Sequence, residues 1–280
     1  MAETTPIALK DRRRRGSGGS TGGPIAMRLL VMLLLTALTL PGAEPAAAKS
    51  TTIMVGVNGT MRATLVTPEG PGPFPGVLVL HTSGGLQAAD TAFAEHLAEE
   101  GYVALVPEFL LAYGITQQTR TATFTSDAAP IYADLAAALE TLRRSDKVGG
   151  RKVAVVGFSN GGYFAAWLAA TGKVAAGISY YGALSGAGTD RTLERFKASF
   201  TGESAPLLIL HGTQDQTVPV AAAQRLGGIL ADAHSPYQLH LYPGAGHRFD
   251  RDGASEANRV AAADAWQRSL AFLLLYLRDR

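Results

Sequence analysis

The chain contains no cysteine. That excludes disulfides, a thiol nucleophile, thiolate metal sites and a lipid-modified N-terminal cysteine. It leaves the compartment open, because a chain of 280 residues can bury enough core to do without disulfides. Charge is sparse as well: 17% of residues are charged against 47% hydrophobic, which excludes extensive disorder away from the ends. The net charge is only +2, and the basic excess is local, in the run Arg12-Arg13-Arg14-Arg15. Without that run the remainder is slightly acidic, so there is no electrostatic footprint for nucleic acid. Also missing are a Gly-rich dinucleotide loop at the start of the sheet, a cluster of His and carboxylates at metal-ligand spacing, and any internal repeat. Neither a cofactor nor a metal is expected.

Residues 1–26 are rich in Gly, Ser, Thr and Arg and have no apolar periodicity. Met27-Arg28, an apolar run over 29–40, Pro41-Gly42 and Ala46-Ala47-Ala48 follow. A positive segment, a hydrophobic segment and a small-residue cleavage site make a secretory signal peptide, cut after Ala48. The run is short of the roughly 20 apolar residues that span a bilayer, so an uncleaved anchor is the lesser reading and the mature chain is expected to hold no stable membrane span. The four arginines lie too far from the apolar run for a twin-arginine signal. Residues 1–48 are therefore set apart as an extension and export signal, giving a periplasmic or secreted protein. Residues 49–280 are expected to form one domain.

In that part, apolar-rich runs at 53–57 and 61–66 flank Asn58-Gly59, a hairpin signal. From residue 76 onward short continuous apolar runs alternate with helical patterns. The runs lie at 77–80, 102–106, 153–156, 175–181 and 207–210, with an alternating run at 237–242. Helices are expected around Phe93 and Leu97, over Ile131, Leu135, Leu139 and Leu142, after residue 162, over 220–230, and over the apolar stripe Val260 to Leu277. Residues 109–126 carry almost no charge and are expected to form a pocket loop; residues 183–204 are expected to be irregular. The pattern predicts an α/β fold, a mostly parallel doubly wound sheet with an N-terminal antiparallel hairpin. Ligands of such sheets bind at the carboxyl ends of the strands. His81 to Ser83, Ser159, Asp215 and His247 all fall just after strands.

The densest signal is Gly157-Phe158-Ser159-Asn160-Gly161-Gly162, between a buried strand and a small-residue helix. Gly-x-Ser-x-Gly in that setting is a nucleophile elbow. A serine hydroxyl is a poor nucleophile unless a base takes its proton, and the base needs a carboxylate to hold its tautomer. Ser159, Asp215 and His247 supply these in chain order, each beside glycines. The oxyanion formed on attack needs two N–H donors. Asn160, directly after the serine, is one; the loop after residue 80 provides the other, with Ser83 preferred and Thr82 next. Each residue has a bland alternative: Ser159 as a helix cap, Asp215 capping the helix near Pro219, His247 as a surface turn. Asp232 and Asp250 are rival acids, and His96 and His234 rival bases. His211 is expected to position the turn that carries Asp215, and His81 is open between the two kinds of role. Thr82, His81, Phe109 and Tyr181 are candidates for the pocket wall.

These residues resemble the dienelactone hydrolase family of α/β-hydrolases. The similar stretches are Pro75-Gly-Val-Leu-Val-Leu-His-Thr-Ser-Gly-Gly-Leu86, Tyr102-Val-Ala-Leu-Val-Pro107, Val156-Gly-Phe-Ser-Asn-Gly-Gly162, His211-Gly-Thr-Gln-Asp215 with Val218-Pro219, and Tyr242-Pro-Gly-Ala-Gly-His-Arg-Phe249. They run in order across nearly the whole mature chain. The resemblance implies a single α/β-hydrolase domain without an added lid and the same Ser159, Asp215, His247 assignment. The family's name-giving enzymes have cysteine where this chain has Ser159, and a Pro-Asp-Leu-Tyr-like run where it has Pro107-Glu108-Phe109-Leu110. Serine favours ordinary esters. The expectation is an exported serine esterase acting on a small ester, a monomer or weak dimer. A peptidase of prolyl-oligopeptidase type and a non-catalytic envelope binding protein on the same fold are the alternatives.

Overall fold

The computed structural model describes residues 48–183 and 189–278. The leader expected before Ala48 lies outside the described residues. An edge hairpin opens the fold, β1 (Lys49–Val55) against β2 (Met61–Thr67), in antiparallel register with Ile53 opposite Ala63. The first strand begins earlier than the apolar pattern predicts, because Lys49 to Thr52 are exposed on an edge where pairing needs only backbone. The Asn58-Gly59 turn is the middle of a five-residue loop, with Gly56 and Gly59 at positive φ.

Then come β3 (Gly76–Leu80), α1 (Ala88–Glu99), β4 (Val103–Pro107) and a short α2 (Phe109–Ala112). A 3-10 turn (Arg120–Phe124) leads into α3 (Ala128–Arg144), followed by β5 (Val153–Phe158), α4 (Asn160–Ala170), β6 (Ala176–Tyr180) and α5 (Thr189–Ser199). The chain ends with β7 (Leu207–Gly212), α6 (Val220–Asp232), β8 (Tyr237–Tyr242) and α7 (Glu256–Leu277). The sheet order is β1-β2-β4-β3-β5-β6-β7-β8, antiparallel over the first three strands and parallel thereafter. The expected α/β, doubly wound architecture is what the chain adopts.

Every residue of β3, β4, β5, β6 and β7 is buried, as in strands covered on both faces. Alternation sorts their side chains. Leu78, Leu80, Val155 and Ile209 join the core under α3, α4 and α6, while Val77, Val79, Val156 and Leu210 join the core under α1 and α7. Residues 183–204, expected to be irregular, include α5. Its apolar positions are few, but Phe196 is fully buried and holds the helix against Tyr163 of α4, with ring centroids 5.7 Å apart. Residues 109–126 are largely the expected loop, broken by α2 and the 3-10 turn.

β6 and α7 are joined by a buried hydroxyl. Tyr180 Oη shares a hydrogen bond with Ser269 Oγ at 2.7 Å and donates to the Ala265 carbonyl at 3.1 Å. Tyr180→Phe leaves the Ser269 hydroxyl without that partner in a dry site. The expected cost is about 1–2 kcal/mol of unfolding free energy, read as a lower urea midpoint with an unchanged slope.

Candidate active site

The carboxyl ends of β3, β5, β7 and β8 meet around one cleft of about 690 Å³. Ser159 stands at its floor with φ 51° and ψ −108°, the strained turn a strand-to-helix elbow demands. Two glycines make the turn sterically feasible. A Cβ on Gly157 would lie 2.1 Å from the Gly161 carbonyl oxygen, and one on Gly161 would lie 2.2 Å from the Leu80 carbonyl oxygen. The serine backbone is held by its N–H donating to the Tyr180 carbonyl (2.9 Å) and its carbonyl accepting from Ala183 N–H (2.8 Å).

Asp215 and His247 come from neighbouring loops that bind each other. Thr213 N–H donates to the Tyr242 carbonyl at 3.0 Å, and Gln214 N–H donates to the Ala245 carbonyl at 2.9 Å. His247 Nδ1–H donates to Asp215 Oδ2 at 2.7 Å, which leaves Nε2 as the nitrogen available to a hydroxyl. The other carboxylate oxygen, Oδ1, accepts from the Thr217 and Val218 N–H groups, both at 2.8 Å. Burial alone pushes this carboxyl up; hydrogen bonds from His211, His247 and Val218 N–H outweigh it and hold the group well below the usual carboxylate range. His211 Nε2–H donates to the Val218 carbonyl at 2.8 Å and lies 3.4 Å from Asp215 Oδ2, so it braces the turn that carries the acid.

Ser159, His247, Asn160, Ser83 and Thr82 all line the cleft. His81, Phe109 and Tyr181 do not: each is fully buried behind it. His81 stacks on Phe109, with centroids 4.2 Å apart and planes 12° apart. Tyr181 presents its ring edge to His247 at 4.7 Å and donates its hydroxyl to Asp250 at 2.5 Å. These three, expected at the pocket wall, lie one layer behind it, because position after a strand does not distinguish a residue at the cleft from one beneath it. Asp250, the rival acid, is committed to Tyr181 and to Arg251 Nε at 2.9 Å.

Arg251 also binds Asp90 Oδ1 at 2.9 Å and lies over the Phe158 ring at 4.5 Å. Burial works against its charge, but Tyr181, Asp250 and Asp90 raise its pKa above the ordinary guanidinium value. This buried cluster ties the His247 loop to the first turn of α1, since Asp90 Oδ2 accepts from Gln87 N–H at 2.9 Å. The cleft's remaining polar residues are Gln117, Arg120 and Thr121, within the stretch expected to form a pocket loop, and Gln87, Thr217 and Arg248, which the sequence reading does not single out. Arg248 alone carries a local signal, its place beside His247. Asn160 Nδ2 donates to Thr123 Oγ1 at 2.7 Å, joining the elbow to the 3-10 turn. Among the described residues no group of His and carboxylates suits a metal, and no helix is long and apolar enough to cross a membrane.

A carboxylate-held imidazole, a strained serine and a cleft above both are the parts of acyl transfer. Comparison with known proteins identifies the family. A protein from Methylorubrum extorquens bearing the name carboxymethylenebutenolidase is 29% identical over 220 residues, 75% of each chain. A Bradyrhizobium protein named for 2-oxo-3-(5-oxofuran-2-ylidene)propanoate lactonase is 27% identical over 230 residues, 80% of this chain and 93% of that one. A crystal structure of a dienelactone hydrolase from Klebsiella pneumoniae superposes with TM-score 0.71 at 24% identity, covering 82% of this chain and all of that one. The dienelactone hydrolase family model matches residues 61–277, and with the α/β-hydrolase sheet already described the chain belongs to that family of hydrolases.

Proposed function

We propose that the chain is a serine hydrolase that opens a carboxylic ester or lactone through an acyl-enzyme. The observation that carries this reading is the 2.7 Å bond to a buried Asp215 from His247, which lines the same cleft as Ser159. In the proposal Ser159 Oγ attacks the carbonyl carbon while its proton passes to His247 Nε2. Asp215 keeps the imidazole in the Nδ1–H tautomer and stabilises the imidazolium. The Asn160 and Ser83 N–H groups receive the oxyanion. The tetrahedral adduct collapses as His247 returns the proton to the departing alkoxide, and water then repeats the sequence on the acyl-enzyme. In a lactone the alkoxide stays tethered to the acyl group.

The cleft favours an anionic substrate. Arg120 and Arg248 line it, and among the described residues no carboxylate does. Arg248 sits at φ 60° directly after His247, and its guanidinium is held by Gln87 Oε1 at 3.1 Å. The names of the two relatives describe carboxylate-bearing lactones, in keeping with this. The leader read in residues 1–48 would place the activity outside the cytoplasm.

Ser159→Ala should lower turnover of p-nitrophenyl esters and of a carboxylate-bearing lactone by roughly ten-thousandfold or more. Equal rates for the two proteins would instead favour a binding protein. Asp215→Asn should cost a loss of similar order by permitting the wrong tautomer. The same change tests stability. A carboxyl held below its ordinary range contributes stability above the unfolded pKa of about 4 and loses it as pH falls through the folded value. Asp215→Asn should therefore flatten the acid limb of the unfolding curve. Arg120→Gln and Arg248→Gln should each raise KM for the anionic lactone about tenfold and leave a neutral acetate ester near wild type. Equal effects on both substrates would reject the anionic preference.

A further inference from the structure

His81 is a costly residue where it stands. It is fully buried, stacked on Phe109, and its Nε2 has no hydrogen-bond partner. An unsatisfied buried acceptor costs stability, and an apolar ring would pack the same space without that cost. What histidine adds is one bond: Nδ1–H donates to the carbonyl of Thr82, the next residue, at 2.8 Å.

That carbonyl belongs to the peptide unit whose N–H is Ser83. The unit is planar and trans, so its C=O and N–H point in opposite directions. The carbonyl is fixed twice, by the buried His81 ring and by Gly85 N–H at 3.2 Å. The Thr82 hydroxyl closes the same turn by accepting from Gly84 N–H at 3.2 Å. Ser83 lines the cleft, and among the described residues nothing accepts from its N–H. Gly161 lies directly against this stretch of backbone, where a Cβ would fall 2.7 Å from the His81 carbonyl oxygen. The His81 loop and the nucleophile elbow are therefore in contact.

We propose that His81 is a positioning residue for the second oxyanion donor: by holding the Thr82 carbonyl on the buried side of the loop, its Nδ1–H turns the Ser83 N–H toward the cleft. This rests on the serine-hydrolase reading above. His81 touches no reacting atom. It acts through the orientation of one peptide plane, a term felt only when the oxyanion forms.

The test uses three variants of the purified full chain. His81→Phe keeps the ring stack and removes the donor. His81→Asn and His81→Leu are of similar shape, and only the asparagine carries an N–H where His81 Nδ1 stands. Steady-state ester hydrolysis is measured beside inhibition by a trifluoromethyl ketone. Ser159 Oγ adds to the ketone carbon, the serine proton passes to His247 and the ketone oxygen becomes the bound oxyanion. His81→Phe and His81→Leu should lower kcat about tenfold to a hundredfold, part of what loss of a whole oxyanion donor costs, with KM little changed. Their Ki for the ketone should rise by the same factor, and His81→Asn should restore both. If the phenylalanine variant does not fold, the Asn and Leu pair decides. Unchanged kcat and Ki, equal losses in His81→Asn and His81→Leu, or a loss of kcat with wild-type ketone affinity would overturn the proposal. Wild-type protein without Ser159-dependent hydrolysis would overturn the serine-hydrolase reading instead.

Discussion

A serine in the left-handed half of backbone space survives only where its surroundings leave no alternative. Here the constraint is the absence of two β-carbons, at Gly157 and Gly161. Their removal lets the end of β5, the start of α4 and the backbone of Leu80 and His81 approach within ordinary contact. The neighbouring strand adds its part, since Ser159 N–H is taken by the Tyr180 carbonyl. The strain is distributed over three strand ends, so the serine hydroxyl and the loop after β3 share one rigid frame. Strain of this kind costs about 1–3 kcal/mol, which a sheet buried on both faces can carry.

Charge is handled on the same principle of full use. Both oxygens of Asp215 are occupied, one by two backbone N–H groups and one by His247, so the carboxylate has no freedom to rotate away. Behind His247, Tyr181, Asp250, Arg251 and Asp90 form a second buried set. An ion pair in such a place adds little to net stability, because desolvation offsets its attraction. Its effect is on geometry: it connects the His247 loop to the start of α1 across the molecule.

Much of this was legible in the linear chain, for identifiable reasons. Continuous apolar runs betray strands buried on both faces, and Gly-x-Ser-x-Gly between a strand and a helix leaves few conformations open. Asp215 and His247 could be picked out because each sits beside glycines after a strand pattern, a buried run for the first and an alternating edge run for the second. The edge strand β1 was partly hidden, since Lys49 to Thr52 need no apolar pattern to pair. Helix α5 was hidden because Leu193 and Phe196 are its only large apolar residues. Depth was not legible at all. Nothing local distinguishes Thr82, at the cleft, from His81, one residue earlier and wholly enclosed. Arg120 and Gln117 reach the cleft through the fold of a loop whose sequence carries no period.

The wall formed by residues 115–125 has a consequence for how such a protein can change. It lies outside the sheet, between β4 and α3, and contributes Gln117, Arg120, Thr121 and Phe124 to the cleft. Its side chains meet the elbow and α4 through the bond from Asn160 to Thr123 and the packing of Phe124 on Tyr163. A change at Gln117, Arg120 or Thr121 therefore alters the wall without touching a strand of the sheet, whereas a change at the buried Thr123 is felt at the elbow itself.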